Sequence, residues 1–393
     1  MRYARLLAPT AGTGLLRIAQ LASLLAITRL TEGDLQSFLV TGFGVLASFS
    51  VISDSGAANY LLSLNRERQN RATYAMVLGL QACIAAVVLV AVFVFLILIS
   101  PDGLNTGHFA ILIALALSQT LDGVGRAAKA PLLVNRRDDL FAAPDIATGV
   151  AKLAVVGIAL LASNLDVLMF MPLVSAAALA VVVVLVRRGL GTEAKPEPKL
   201  FRKVLEIGLT GSLSALYSQS PMFLAAALLP LNVAAELAVI FRVVQALELV
   251  PATLSVQMIP RIKADKSPLR LWLMFLSAGL AIALVVIFCW PIVSTLLDIA
   301  LRPEFYIPVT IAFAFKCGNY AIVAYLLGSG RVRARLIVTV ATGVIALLLV
   351  TGCALAWGGF GLAIATAAIE LVFLGVAILV LGRTRRTPER LVS

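Results

Sequence analysis

The sequence predicts an all-α integral membrane protein, with about twelve transmembrane helices in two six-helix lobes related by a pseudo-two-fold axis along the membrane normal. Three observations predict it. Of 393 residues, 61% are hydrophobic and only 13% charged, with a mean hydropathy of +1.02, more apolar surface than a soluble fold of this length can bury. The polar breaks between apolar runs alternate between basic and neutral or acidic. One longer interruption, Arg187 to Lys203, holds six Lys or Arg and two prolines and divides the chain into halves that each have room for six spans of about 20 residues.

The first half is expected at residues 1–186. Span one runs from about Leu6 to Thr28, and Thr31-Glu32-Gly33-Asp34 turns into span two, Gln36 to Leu62. Arg66, Arg68 and Arg71 fill the next break. Span three, Tyr74 to Ser100, ends at Pro101-Asp102-Gly103, and span four runs from His108 to Ala127. Lys129, Arg136 and Arg137 are assigned to the following basic loop. Span five, Phe141 to Ala162, turns at Asn164-Leu165-Asp166 into span six, which ends at Val186. Residues 187–203 form a linker on the cytoplasmic side.

The second half, residues 204–382, repeats the scheme. Span seven covers Val204 to Leu229 and span eight Ala234 to Ile259, before the basic loop of Arg261, Lys263, Lys266 and Arg270. Span nine, Leu271 to Leu297, leads through Arg302 and Glu304 to span ten, Ile307 to Gly328. Arg331, Arg333 and Arg335 follow. Spans eleven, Leu336 to Trp357, and twelve, Phe360 to Leu381, join through Gly358-Gly359, and residues 383–393 form a basic tail. Because every second break is basic, both termini and the linker are expected in the cytoplasm, Arg29 and Arg302 being the exceptions. The net charge of +12 is then a topology signal and not a nucleic-acid surface. The four cysteines lie in apolar runs without paired spacing, so neither a disulfide framework nor a zinc site is expected.

Charged residues inside spans are the candidate site residues, since each costs roughly 2.5–3.5 kcal/mol at a helix centre and usually faces the bundle interior. Arg17, Lys152, Arg242 and Lys316 are the cations at depth. On a helical period Lys152 shares a face with Asp145, Thr148 and Gly149, Arg242 with Gln245, and Lys316 with Asn319 and Tyr320. Such stripes suit an anionic substrate held by charge-assisted hydrogen bonds. They also suit structural ion pairs, because Asp54, Asp122, Asp145, Glu248 and Glu370 lie within spans too. Spacing alone pairs Asp122 with Arg126, and Asp145 with Lys152. Asp54, Asp145, Glu248 and Glu370 are therefore candidates either for ion coupling or for pairing. Pro221, after the polar run Tyr217-Ser218-Gln219-Ser220, marks a candidate gating kink.

Thr28-Arg29-Leu30, Asp54-Ser55-Gly56 before a basic loop, Met258-Ile259-Pro260-Arg261, and Gly358-Gly359-Phe360-Gly361-Leu362-Ala363 carry a family resemblance over essentially the whole chain. The sequence resembles the multidrug/oligosaccharidyl-lipid/polysaccharide (MOP) exporter superfamily, and within it the polysaccharide-biosynthesis flippases for lipid-linked, O-antigen-type oligosaccharides. The resemblance implies an alternating-access transporter of the bacterial cytoplasmic (inner) membrane, without a cofactor. It would carry a polyprenyl-diphosphate-linked glycan, commonly with proton or sodium coupling, alongside polysaccharide polymerase machinery. Under it, Arg17, Lys152, Arg242 and Lys316 would line a cationic cavity. The peptidoglycan-precursor flippase has two further helices, so the basic tail after span twelve disfavours that substrate. Two alternatives stay open: a cation-coupled multidrug exporter of the same superfamily, and a membrane-embedded pathway enzyme. An enzyme is disfavoured because no outward loop exceeds about ten residues and no acid–base set appears.

Overall fold

The computed structural model describes residues 2–52, 56–64, 70–100, 106–135, 137–191, 200–258, 267–329 and 331–384. Within them the secondary structure is helical, apart from a single parallel bridge between Asn70 and Gly191. In the hydrocarbon layer a helix satisfies its own backbone, which is why apolar runs of this length adopt it. The chain is a multi-pass membrane protein. Eight helices among the described residues are long and apolar enough to cross a bilayer, and the longest of them contains a kink that makes it two.

Contacts divide the chain into two compact units, residues 1–215 and 216–393. The first contains α1 (Arg2–Leu30), α2 (Gly33–Ile52), α3 (Ala57–Ser63), α4 (Arg71–Leu98), α5 (Thr106–Val134), α6 (Asp138–Leu161), a 3-10 turn (Leu165–Phe170) and α7 (Met171–Arg188). The expected span two is thus broken. Helix α3 begins after Gly56, whose φ of +73° is left-handed and suits a residue without a Cβ. Helix α4 starts where the Asn70 side chain accepts the Thr73 N–H at 2.7 Å. Two close approaches hold α1 against α6. A Cβ at Gly12 would stand 2.9 Å from that of Asp145, and one at Gly149 would stand 2.8 Å from Leu15 Cγ. Small residues at such crossings let backbones approach where lipid supplies no hydrophobic drive.

Helix α8 (Leu200–Leu228) crosses the division between the units. Its start packs with the first unit, where Leu200 and Val204 join a buried cluster with Tyr60, Tyr74, Ala128 and Val186. The connector is consequently shorter than its composition suggests. Arg187 and Arg188 close α7, and Leu200, Arg202 and Lys203 already belong to α8.

The second unit continues with α9 (Leu231–Leu247), α10 (Leu249–Met258), α11 (Pro268–Leu297), α12 (Pro303–Gly328) and α13 (Val332–Thr384). The expected span eight is covered by α9 and α10, which meet at Glu248 with its backbone still right-handed helical, and α11 runs unbroken through Pro291. In α13 the helical path is lost at Trp357 and Gly358, the glycine lying at φ +59°, ψ −140°. A Cβ at Gly361 would strike the Cys353 carbonyl, eight residues earlier, so the two arms fold back as the predicted hairpin. Arg302, an exception to the charge pattern, has a specific partner. Its backbone N–H and Nε both donate to the Glu236 carboxylate, the latter at 2.9 Å.

Candidate functional site

In the first unit, the polar side chains within apolar helices gather around one small cavity of about 30 Å³, lined by Asp122, Lys129, Asp145, Thr148 and Ser175 among others. The space is water-sized. Helix α6 contributes Lys152, whose Nζ lies 2.5 Å from Asp122 of α5. Asp122 also accepts the Ser175 hydroxyl of α7 at 2.9 Å, and Ser175 bonds Ser118 at 3.0 Å. A second ion pair joins Lys129 of α5 to Asp145 of α6. Charges this deep require partners, because the transfer of an isolated ion out of water costs several kcal/mol.

These pairs correct three expectations. Asp122 pairs with Lys152 of a neighbouring helix and not with Arg126 one turn away, and Asp145 takes Lys129 in place of Lys152. Lys129 itself is not in a loop. It is 3% exposed, inside α5, with its ammonium 4.3 Å from the Phe141 ring centroid. The apolar stretch Ala130-Pro131-Leu132-Leu133-Val134 was the available signal: a helix that outlasts Pro131 must bury the lysine before it. Arg17 sits on α1 and donates to Gln20 at 3.2 Å. Asp54 lies outside the described residues.

The second unit holds a differently composed cluster around another cavity of about 30 Å³, lined by Tyr217, Pro221, Gln245, Glu248, Lys316 and Glu370 among others. Lys316 of α12 donates to Glu248 at 2.8 Å, and the Tyr320 hydroxyl reaches the other oxygen of the same carboxylate at 3.2 Å. Asn319 faces elsewhere. Its Nδ2 donates to the Glu370 carboxylate at 2.8 Å, while its Oδ1 accepts from Trp272 at 3.2 Å. Glu370 is buried, and no cation stands within 4 Å of it among the described residues. Glu248 lies where α9 meets α10, in right-handed helical conformation, its N–H donating to the Val244 carbonyl and its carbonyl accepting the Ala252 N–H, each at 3.0 Å.

An amide chain extends this cluster. Arg242, 4% exposed, donates to Gln245 Oε1 at 3.1 Å, and Gln245 Nε2 donates to Gln219 Oε1 at 2.9 Å. Gln219 and Ser218 precede Pro221 in α8. Proline removes the donor that would have reached the Tyr217 carbonyl, and the Ser220 hydroxyl takes that carbonyl at 2.9 Å. The Tyr217 ring stacks on Phe373 with centroids 6.3 Å apart. The helical periods put Arg242 on a face with Gln245, and the two bond directly; they put Lys316 with Tyr320 and Asn319, of which Tyr320 meets Lys316 on the Glu248 carboxylate while Asn319 turns to Glu370 and Trp272. Gln219, Asn319 as a Glu370 partner, and Ser175 carry no charge and were not singled out as site residues.

Neither a known family model nor any curated protein matches the sequence. Solved structures do match, over nearly the whole chain. A multidrug resistance MATE family transporter of the MOP superfamily in an inward-facing conformation aligns with a TM-score of 0.62 at 12% identity, covering 97% of this chain and 96% of that one. The lipid II flippase MurJ in an inward closed conformation gives 0.65 at 13% identity, covering 95% and 87%. A MOP superfamily transporter from Pyrococcus furiosus, described as having a binding pocket of reverse polarity, gives 0.64 at 13% identity over 97% and 94%. The chain has the MOP transporter fold. Identity this low fixes the architecture, and within the MOP fold the chemistry belongs to the side chains above.

Proposed function

We propose that the protein is an alternating-access flippase that carries a polyprenyl-diphosphate-linked oligosaccharide across the bacterial inner membrane. The observation that carries the proposal is the disposition of buried charge within a MOP fold. Two lysine–aspartate pairs lie in the first unit, whose α1 also carries the half-buried Arg17, and in the second unit the buried Arg242 bonds Gln245, which lines the same cavity as Glu248, Lys316 and Glu370. A lipid II flippase shares this architecture along 95% of the chain, as a multidrug MATE transporter does along 97%, so the fold is compatible with the reading and the side chains carry it. Arg17 and Arg242 are the residues assigned to the diphosphate, because a guanidinium presents paired donors that match phosphate oxygens. Lys152 and Lys316 have carboxylate partners and act with them, holding the surrounding helices in place.

Glu370 supplies the ion coupling in this scheme. With Glu248 and Glu370 ionised, the cavity lining carries two carboxylates against the Lys316 ammonium. When Glu370 takes up a proton or binds a cation, the lining loses its excess negative charge and admits an anionic headgroup more readily. Asp145 and Glu248, each committed to a lysine, serve as pairing groups. Pro221, bordering the cavity, is the position where α8 bends.

The test is flipping of a fluorescent polyprenyl-diphosphate oligosaccharide in proteoliposomes. A hydrogen bond to a charged group is worth roughly 1.5–3 kcal/mol, so R17Q/R242Q is expected to lower the rate on the order of 100-fold. Unchanged flipping by a normally folded double variant refutes the assignment. One observation favours a second reading, a cation-coupled multidrug exporter. The second-unit cavity itself is lined by two carboxylates and one lysine, a balance that attracts cationic compounds. Efflux of a cationic dye from a pump-deficient strain, lost in Glu248→Gln and kept in R17Q/R242Q, would select that reading.

A further inference from the structure

Three arginines meet at the basic end of the first unit, where α4 begins and α7 ends. The Arg71 backbone N–H donates to the Gly191 carbonyl at 3.1 Å, and its Nε donates to the Arg187 carbonyl at 3.2 Å. Asn70 and Gly191 form the parallel bridge beside them. These bonds pin Arg71 next to Arg187 and Arg188. All three side chains are exposed, and none has a carboxylate within 4 Å among the described residues. Orientation by the positive-inside rule requires cations somewhere in the loop, but it does not require backbone bonds that hold like charges together.

The surface directly beneath is apolar and open to lipid. Arg188 shares a helical face with Val184 and Val181, four and seven residues earlier, which are 50% and 55% exposed. Arg71 heads a similar face of α4, with Ala75 and Gly79 exposed one and two turns on. We infer that this is a docking site for an anionic phospholipid, with its headgroup phosphate between Arg71, Arg187 and Arg188 and its acyl chains against α4 and α7. A soluble phosphate satisfies the arginines but leaves the two apolar faces unused. Basic pockets between transmembrane helices favour such headgroups, and each cation near the surface contributes to the attraction. The inference concerns the first unit alone and is independent of what the protein transports.

The test is native mass spectrometry of the full-length protein released from nanodiscs of mixed phosphatidylglycerol and phosphatidylcholine. The wild type is expected to retain phosphatidylglycerol preferentially. R71Q/R188Q is expected to lower that preference by about 30-fold, and the charge-matched control R270Q/R333Q to preserve it. Arg188→Gln alone, whose side chain makes no hydrogen bond to α4 or α7 among the described residues, should give an intermediate loss even if the double variant folds poorly. Glycerol phosphate in excess should not displace the retained lipid. Absence of a preference in the wild type, equal loss in both double variants, an unchanged preference in Arg188→Gln, or displacement by glycerol phosphate would each overturn the inference.

Discussion

The two units solve the problem of buried charge in opposite ways. In the first, two lysines meet two aspartates one to one, and the Ser175 hydroxyl completes the carboxylate of Asp122. In the second, Lys316 serves Glu248 while Glu370 is held by the neutral amide of Asn319. A matched pair gains little from any change in protonation, because removing either charge strands the other. A carboxylate on an amide can be charged or neutral without stranding a partner. The difference assigns rigidity to the first cluster and adjustability to the second.

The sharpest way to break that comparison is to delete one member of a pair. Lys152→Met strands Asp122 and should cost about 3–5 kcal/mol, seen as a collapse of folded yield and of thermal midpoint in detergent. Adding Asp122→Asn should restore most of both. The parallel double change Lys316→Met with Glu248→Gln should restore folding too, yet leave transport impaired, because it alters the adjustable cluster. Equal transport by the two repaired variants would erase the distinction.

A smaller effect probes whether α1 rests tightly on the first cluster. Gly12→Val must push against Asp145, where even a Cβ would approach to 2.9 Å, and overpacking of this kind costs about 1–3 kcal/mol. A thermal midpoint equal to that of the wild type would show that the contact yields freely. Glu370→Gln should have the smallest effect on folding, since an amide oxygen still accepts from Asn319. Transport by this variant is expected to lose its stimulation by a proton or sodium gradient, measured in the same proteoliposomes. Retained stimulation would move the coupling group elsewhere.

Most of the helices were legible because a span needs about 20 apolar residues and hydropathy counts them directly. The break inside span two was not. Gly56 interrupts a run whose average hydropathy hardly changes, and only its left-handed backbone records the interruption. Lys129 was misplaced because a basic residue close to a proline resembles a loop, although the apolar residues after Pro131 continue α5 by a full turn. The site was half legible for a related reason. Helical periodicity reports which residues share one face, so Arg242 with Gln245 and Lys316 with Tyr320 could be read. It is silent about which helix lies opposite, so Lys152 with Asp122, Lys129 with Asp145 and Asn319 with Glu370 required the fold.

The serine before Pro221 has a consequence for how α8 exchanges with solvent. Its hydroxyl replaces a missing backbone rung with a bond that a single water molecule can take over without a net loss of hydrogen bonds. Wetting of the adjacent cavity would therefore loosen this turn while the turns above and below stay latched. Deuterium uptake along α8 should then rise abruptly at Met222 to Ala225 when the cavity fills, and not as gradual fraying from either terminus.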